Sequence, residues 1–326
     1  MTGIFQKRAA GLISLMVGIF FLLPGENRTY GRTFTQSARR GNLPVETIEP
    51  ATMPDLVVTR QDLGRGRVLE IRHNLPEPLD RKLPEVAKVV RRCYAFVEGA
   101  TGRDIDGGIL LYILHYAQRP RAYRFQVEVP DDAPWNEIRV TFLETGESLL
   151  GEGGSRHLNT FLYDTLPHEL GHDVLASRPT LRHDGHGQPP RGTRWFIEGT
   201  CEVLAKGFAH AENPTAWRRA LARRRIQTLH RRPWQADLVF SWSPDNAPSA
   251  QDESDLYGWS YALVKNWTER YPLPDLLALM EERGGGVGGR DLELLLRETT
   301  GLELEQLLEQ ALGAVGTGPL SLRLAP

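Results

Sequence analysis

The chain has 326 residues, of which 25% are charged and 40% hydrophobic, and its formal net charge is −2. That length supports one large domain or two ordinary ones, each with a core, and the near-neutral charge balance argues against a dedicated nucleic-acid binder. Cysteine occurs only at Cys93 and Cys201, so there is no disulfide framework and no Cys-x-x-Cys pair. A bound metal is therefore expected to rely on imidazole and carboxylate, with both thiols as buried apolar groups.

Lys7 and Arg8 precede an apolar run from Ala9 to Leu23, which Pro24-Gly25 ends. A charged start followed by such a run is the pattern of a secretory signal. As a helix rising about 1.5 Å per residue, the run falls short of the ~30 Å hydrocarbon core. No clean cleavage site follows, so residues 1–25 are read as a signal peptide or membrane anchor, with membrane attachment possible through 9–23. Either reading implies an exported, periplasmic or extracellular protein. Residues 26–54, polar with scattered Gly and Pro, read as a linker.

Asp55–Arg60 and Arg67–His73 read as strands joined at Gly64-Arg-Gly66. From Leu83 to Gly99, Leu83, Val86, Val89, Val90, Cys93, Phe96 and Val97 recur at three and four, the spacing of an amphipathic helix. Three further strands are expected at Gly107–Tyr116, Tyr123–Val129 and Glu137–Glu144. If the last is an edge strand, an extended peptide could pair with it; an ordinary sheet strand is the equal alternative. Gly151-Glu-Gly-Gly154 reads as a loop without phosphate-binding spacing.

Thr165-Leu-Pro-His-Glu-Leu-Gly-His-Asp-Val174 carries His168, Glu169 and His172 as H-E-x-x-H. On a helix, residues four apart share a face. Two imidazoles can then hold one ion while Glu169 reaches a water beside it, the zinc-peptidase arrangement. Asp164 or Thr165 is the expected cap, and Pro167 falls in the first turn. In the following loop, His183, Asp184 and His186 are more simply solvated side chains than ligands.

Arg194-Trp-Phe-Ile-Glu-Gly-Thr-Cys-Glu-Val-Leu-Ala205 follows. Its apolar flank buries one face of a helix on which Glu198 and Glu202 stand four apart. A buried Glu is costly unless paired or metal-bound. An ion with two imidazoles needs a third protein ligand, and Glu198 is the candidate. Glu202, one turn on, can accept the N–H of a ligating imidazole and fix its tautomer.

H-E-x-x-H followed by Trp-Phe-x-Glu-Gly resembles the gluzincins, zinc peptidases whose third ligand is Glu. Thermolysin and the alanyl-type aminopeptidases belong to that group, and the likeness is nearest to its peptidase MA-like bacterial members. The resemblance implies Zn2+ on His168, His172 and Glu198, with Glu169 as general base. It also implies that Glu202 supports a ligating histidine. Glu198 follows His172 by 26 positions, a little beyond the usual spacing. Leu175 and Arg178 stand where metzincins need Gly and His.

Residues 214–234 hold an Arg-rich helix whose face reads as solvated, or as anion-facing. Residues 241–256 read as a loop, and a helix begins at Leu256-Tyr-Gly-Trp-Ser-Tyr. In aminopeptidase-type gluzincins a Tyr-x-x-Gly tyrosine steadies the oxyanion. Tyr257 with Ser260 approximates that pattern, and Tyr261 is the rival. Leu276–Glu282, Asp291–Glu298 and Leu304–Leu312 continue with helical spacing.

The predicted fold is α+β: a zincin-like core with a mixed sheet packed on the active-site helix, then a mainly helical C-terminal part. Residues 55–205 form the zinc-bearing subdomain and 206–326 the helical one. The predicted function is a zinc peptidase acting on peptide or protein substrates. The aminopeptidase Gly-x-Met-Glu-Asn motif is absent, which favours an endopeptidase. The competing reading is a non-catalytic zinc-binding envelope protein. The sequence fixes no oligomeric state.

Overall fold

The computed structural model describes residues 32–35, 46–48, 56–115, 123–127, 135–143, 148–150, 154–177, 192–223, 239, 242, 250–283, 289–304, 306–307 and 309–310. The apolar run 9–23, the 178–191 loop with His183, Asp184 and His186, and the Arg-rich stretch 224–238 lie outside them. Among the described residues no helix is long and apolar enough to cross a membrane.

Contacts divide the chain into two compact units, one of residues 1–91 and 106–161, the other of 92–105 and 162–326. The first carries the strands. β1 (Arg32–Thr35) and β2 (Glu46–Ile48) flank β6 (Tyr123–Val127) in a small sheet. These two short strands form inside the stretch that reads as a linker, on the β-branched and aromatic residues Thr33, Phe34, Thr47 and Ile48.

β3 (Val57–Gly64), β4 (Arg67–His73), β5 (Gly108–His115) and β7 (Trp135–Leu143) make a mixed sheet in the order β3-β4-β5-β7. β3 and β4 are an antiparallel hairpin, whereas β4, β5 and β7 run parallel. The hairpin turn needs positive φ at Gly64, Arg65 and Gly66 (85°, 55° and 75°), which the two glycines adopt at little cost. β5 is buried from Gly108 to Leu114. Its unbroken Ile-Leu-Leu-Tyr-Ile-Leu run is what a central parallel strand covered on both faces requires. β7 stands at one edge of this sheet. In the same unit α2 (Arg156–Thr160) packs near β7.

α1 (Leu83–Thr101) follows the strands β3 and β4, as its periodicity predicts. The described residues of 162–326, in the second unit, carry the helices α3 (Leu166–Ser177), α4 (Arg194–Glu212), α5 (Pro214–Arg223), α6 (Ala250–Arg270), α7 (Leu273–Glu282) and α8 (Gly289–Thr300). A mixed sheet followed by a mainly helical region is thus the observed order. α6 starts at Ala250, earlier than the polar composition of 241–256 suggests.

α4 is the axis of this unit. Every residue from Arg194 to Ala209 is buried, because α3, α5 and α6 all pack against it. Two glycines permit the closest approaches. A Cβ on Gly171 of α3 would lie 3.0 Å from Cys201 Sγ, and one on Gly199 of α4 would lie 2.4 Å from the Ser260 carbonyl oxygen of α6. Arg103 donates to the carbonyls of Val174 (3.4 Å) and Leu277 (3.3 Å) and pairs with Glu281, joining the end of α3 to α7.

Candidate metal centre

α3 does not begin at a cap. A single π-helical turn, Phe161–Thr165, runs directly into it. Pro167 explains the wide turn: its nitrogen has no hydrogen to donate and its ring crowds the carbonyl four residues earlier. Asp164, one of the two expected caps beside Thr165, instead turns its carboxylate to Lys206 of α4, 2.9 Å away.

His168 and His172 project from one face of α3, both buried. Their Nε2 atoms are 3.2 Å apart. Glu198 of α4 places Oε2 at 3.4 Å from His168 Nε2 and 3.6 Å from His172 Nε2. A tetrahedral ion at ~2.0–2.1 Å from nitrogen and oxygen donors has donor–donor edges of about 3.3–3.4 Å, so this triangle has the dimensions of one face of such a site. Glu198 is 2% exposed, and its Oε2 makes no hydrogen bond of ordinary geometry. A buried carboxylate oxygen left this way is costly, and a cation at the triangle's centre would satisfy it.

The surrounding charges agree. Three buried carboxylates, Asp164, Glu198 and Glu202, face two cations, Arg194 and Lys206, which leaves excess negative charge beside two imidazoles. Burial by itself would hold both histidines neutral. The carboxylates Glu198 and Glu202 override it at His168, and the Cys201 and Glu198 side chains override it at His172, so both pKa values rise, that of His172 well above the usual. Burial pushes Glu198 the other way, but His172, His168 and Arg194 hold its carboxyl well below the usual range.

His168 Nδ1 lies 3.3 Å from Glu202 Oε1. If Nε2 ligates, the proton belongs on Nδ1, facing that carboxylate. Glu169 follows His168 on α3 and is half-buried, the most exposed of the H-E-x-x-H side chains that carry chemistry. Tyr257 of α6 is fully buried with its ring centroid 6.2 Å from that of His168, tilted by 57°. Tyr261 is also buried, and burial raises its pKa well above the usual; the ring contact to His168 is that of Tyr257.

Three participants were not anticipated. Cys201, read as an inert buried thiol with no part in metal binding, is buried. It nevertheless forms with His168 and His172 a group whose ligating atoms all lie within 4.8 Å of one another, a possible metal site. It sits three residues after Glu198, so any α4 helix that delivers Glu198 also delivers this side chain. Burial lifts its thiol to about 11, whereas Glu198 is held as a carboxylate. Arg194 contacts Glu198 Oε1 at 3.5 Å and lies over the Trp242 ring, 4.3 Å from the centroid. Trp242 packs edge-on to Tyr257 at 4.9 Å. An aromatic within a polar loop and an Arg four before a Glu were the available signals.

No family model and no curated protein matches the chain. Solved structures do. An aminopeptidase N family protein from Idiomarina loihiensis is 13% identical with a TM-score of 0.43, over 79% of this chain and 46% of that one. An M1 zinc metallopeptidase from Deinococcus radiodurans is 15% identical with a TM-score of 0.35, over 81% of this chain and 52% of that one. The chain is similar in structure, distantly, to M1 zinc metallopeptidases, and spans about half their length. Likeness at this level carries nothing about chemistry, which rests on the site itself.

Proposed function

We propose that the chain is a zinc-dependent peptidase whose ion is held by His168, His172 and Glu198. The observation that carries the reading is the triangle of Nε2, Nε2 and Oε2 atoms, which has the dimensions of one face of a tetrahedral ion site and includes a buried carboxylate oxygen that a cation would satisfy. A zinc ion held by His168, His172 and Glu198 would supply Lewis acidity toward a peptide carbonyl and lower the pKa of its water to about 7. Glu169 takes the proton from the attacking water and returns it to the leaving amine. The Tyr257 hydroxyl donates to the carbonyl oxygen as negative charge develops on it. Glu202 holds the Nδ1 proton of His168, which turns Nε2 toward the ion.

The substrate is a peptide or protein, cleaved internally. The start of the chain, Lys7 and Arg8 before an apolar run, supports export. A peptide-library digest with and without chelator tests the proposal. Cleavage that chelator abolishes and zinc restores is expected, and a digest unaffected by chelator would sink it. The second reading is a non-catalytic zinc protein, and Cys201 is the observation in its favour, because a fourth protein donor closes a site to water.

A further inference from the structure

Lys206 is fully buried, and its ammonium group bonds to Glu202 Oε2 and to Asp164 Oδ1, the latter at 2.9 Å. The other Glu202 oxygen, Oε1, lies 3.3 Å from His168 Nδ1, an ion-pair contact outside ordinary hydrogen-bond geometry. The chain Asp164–Lys206–Glu202–His168 therefore runs from the π-helical turn ahead of α3, through α4, and back to an α3 ligand. A buried ammonium is costly unless paired, and an apolar side chain of similar volume would fill the same space without that cost. Helix packing alone does not call for a lysine here.

We infer that Lys206 is a positioning residue of the metal centre, holding Glu202 in the one orientation that fixes the His168 tautomer. This rests on the proposed metal site. Lys206 stands four residues after Glu202, so the pair is fixed along α4. Asp164 adds a hold from a second element, which stops the ammonium from swinging with its own helix. The carboxylate then has no freedom to rotate away from Nδ1, and Nε2 stays aimed at the ion. Outer partners of ligating histidines typically set metal affinity by 10–100-fold, and Lys206 acts one bond further out, through Glu202.

The test is the zinc Kd of the full chain, measured by competition with a chelator, for the unaltered protein, Lys206→Met, Glu202→Gln and the double variant. Lys206→Met is expected to weaken zinc binding by about 10-fold or more. The double variant is expected to bind no more weakly than Glu202→Gln, because the lysine works through that carboxylate. A Lys206→Met protein that melts lower but keeps its zinc Kd within about twofold overturns the inference, as do losses that multiply in the double variant. Should Lys206→Met fail to fold, Asp164→Ala keeps the Lys206–Glu202 pair and removes the second hold. A smaller loss of zinc affinity is then expected, and an unchanged Kd overturns the inference. Failure of the unaltered protein to bind zinc would overturn the metal site itself, and this role with it.

Discussion

Gly199, the residue after the Glu198 donor, is where α4 meets the backbone of α6. An ideal Cβ there would stand 2.4 Å from the Ser260 carbonyl oxygen, 2.6 Å from Val264 Cγ2 and 2.8 Å from the Ser260 carbonyl carbon. Ordinary contacts are ~3.5–4.0 Å, so Gly199→Ala must push α6 away by roughly 1 Å. Alanine would normally stabilise a helix interior by about 0.5–1 kcal/mol over glycine. Overpacking costs about 1–3 kcal/mol, and a backbone oxygen cannot swing aside as a side chain can, which places the clash in the upper part of that range. The net loss is then about 1–2 kcal/mol, a fall in Tm of about 1–3 °C for a chain of this length. The variant also separates two parts of the site. His168, His172 and Glu198 sit on α3 and α4, whereas Tyr257 rides on α6. Thermal unfolding followed by circular dichroism, zinc titration and peptide hydrolysis should show a lower Tm, near-unchanged zinc affinity and reduced kcat. A Tm equal to or above that of the unaltered protein would refute the close-approach argument.

Glu169→Gln should retain one zinc per chain by metal analysis and lose peptide hydrolysis; undiminished turnover would remove Glu169 as the base. Tyr257→Phe should lower kcat by about 100-fold or more with zinc affinity unchanged, whereas equal losses in zinc affinity and kcat would make the tyrosine a packing residue. Zinc binding should strengthen with rising pH. In the absence of a cation the folded His168 and His172 hold protons above the usual 6.5. Their contribution to stability is therefore complete below the unfolded value and is lost as pH rises through the folded values. Glu198 is depressed, so its contribution is present above about 4.5 and is lost as pH falls through its folded value. Zinc must displace the histidine protons, so the zinc-induced rise in Tm should be larger near pH 8 than near pH 6; a rise independent of pH would contradict the histidine assignment.

The parts of the site that obey helical spacing were legible in the sequence. His168 and His172 are four apart, as are Glu198 and Glu202, and each pair faces the same region because one helix carries it. The Gly64-Arg-Gly66 hairpin and the apolar run of β5 were legible for the same local reason. What escaped depends on which helix lies beside which. Asp164 resembles a cap in sequence, but Pro167 forces a wide turn instead of a fresh helix start, and the carboxylate goes to Lys206. Lys206, just beyond the segment that carries Glu198 and Glu202, has no local signal of burial. Only the enclosure of α4 by α3, α5 and α6 makes it buried and gives its charge two partners. Cys201 was read correctly as buried but not as a neighbour of the histidines, since nothing local says which side of α4 meets α3. Trp242 and Arg194 meet across a connection whose polar composition predicts no packing at all.

The central claim is that two imidazoles and the Glu198 carboxylate share one zinc ion with a position left for solvent. X-ray absorption of the zinc-loaded protein measures this directly. The expected spectrum has only nitrogen and oxygen neighbours at about 2.0–2.2 Å, identical in Cys201→Ala and altered in Glu198→Ala. A sulfur neighbour at about 2.3 Å that disappears in Cys201→Ala would contradict it, giving the cysteine a coordination position and closing the site to water.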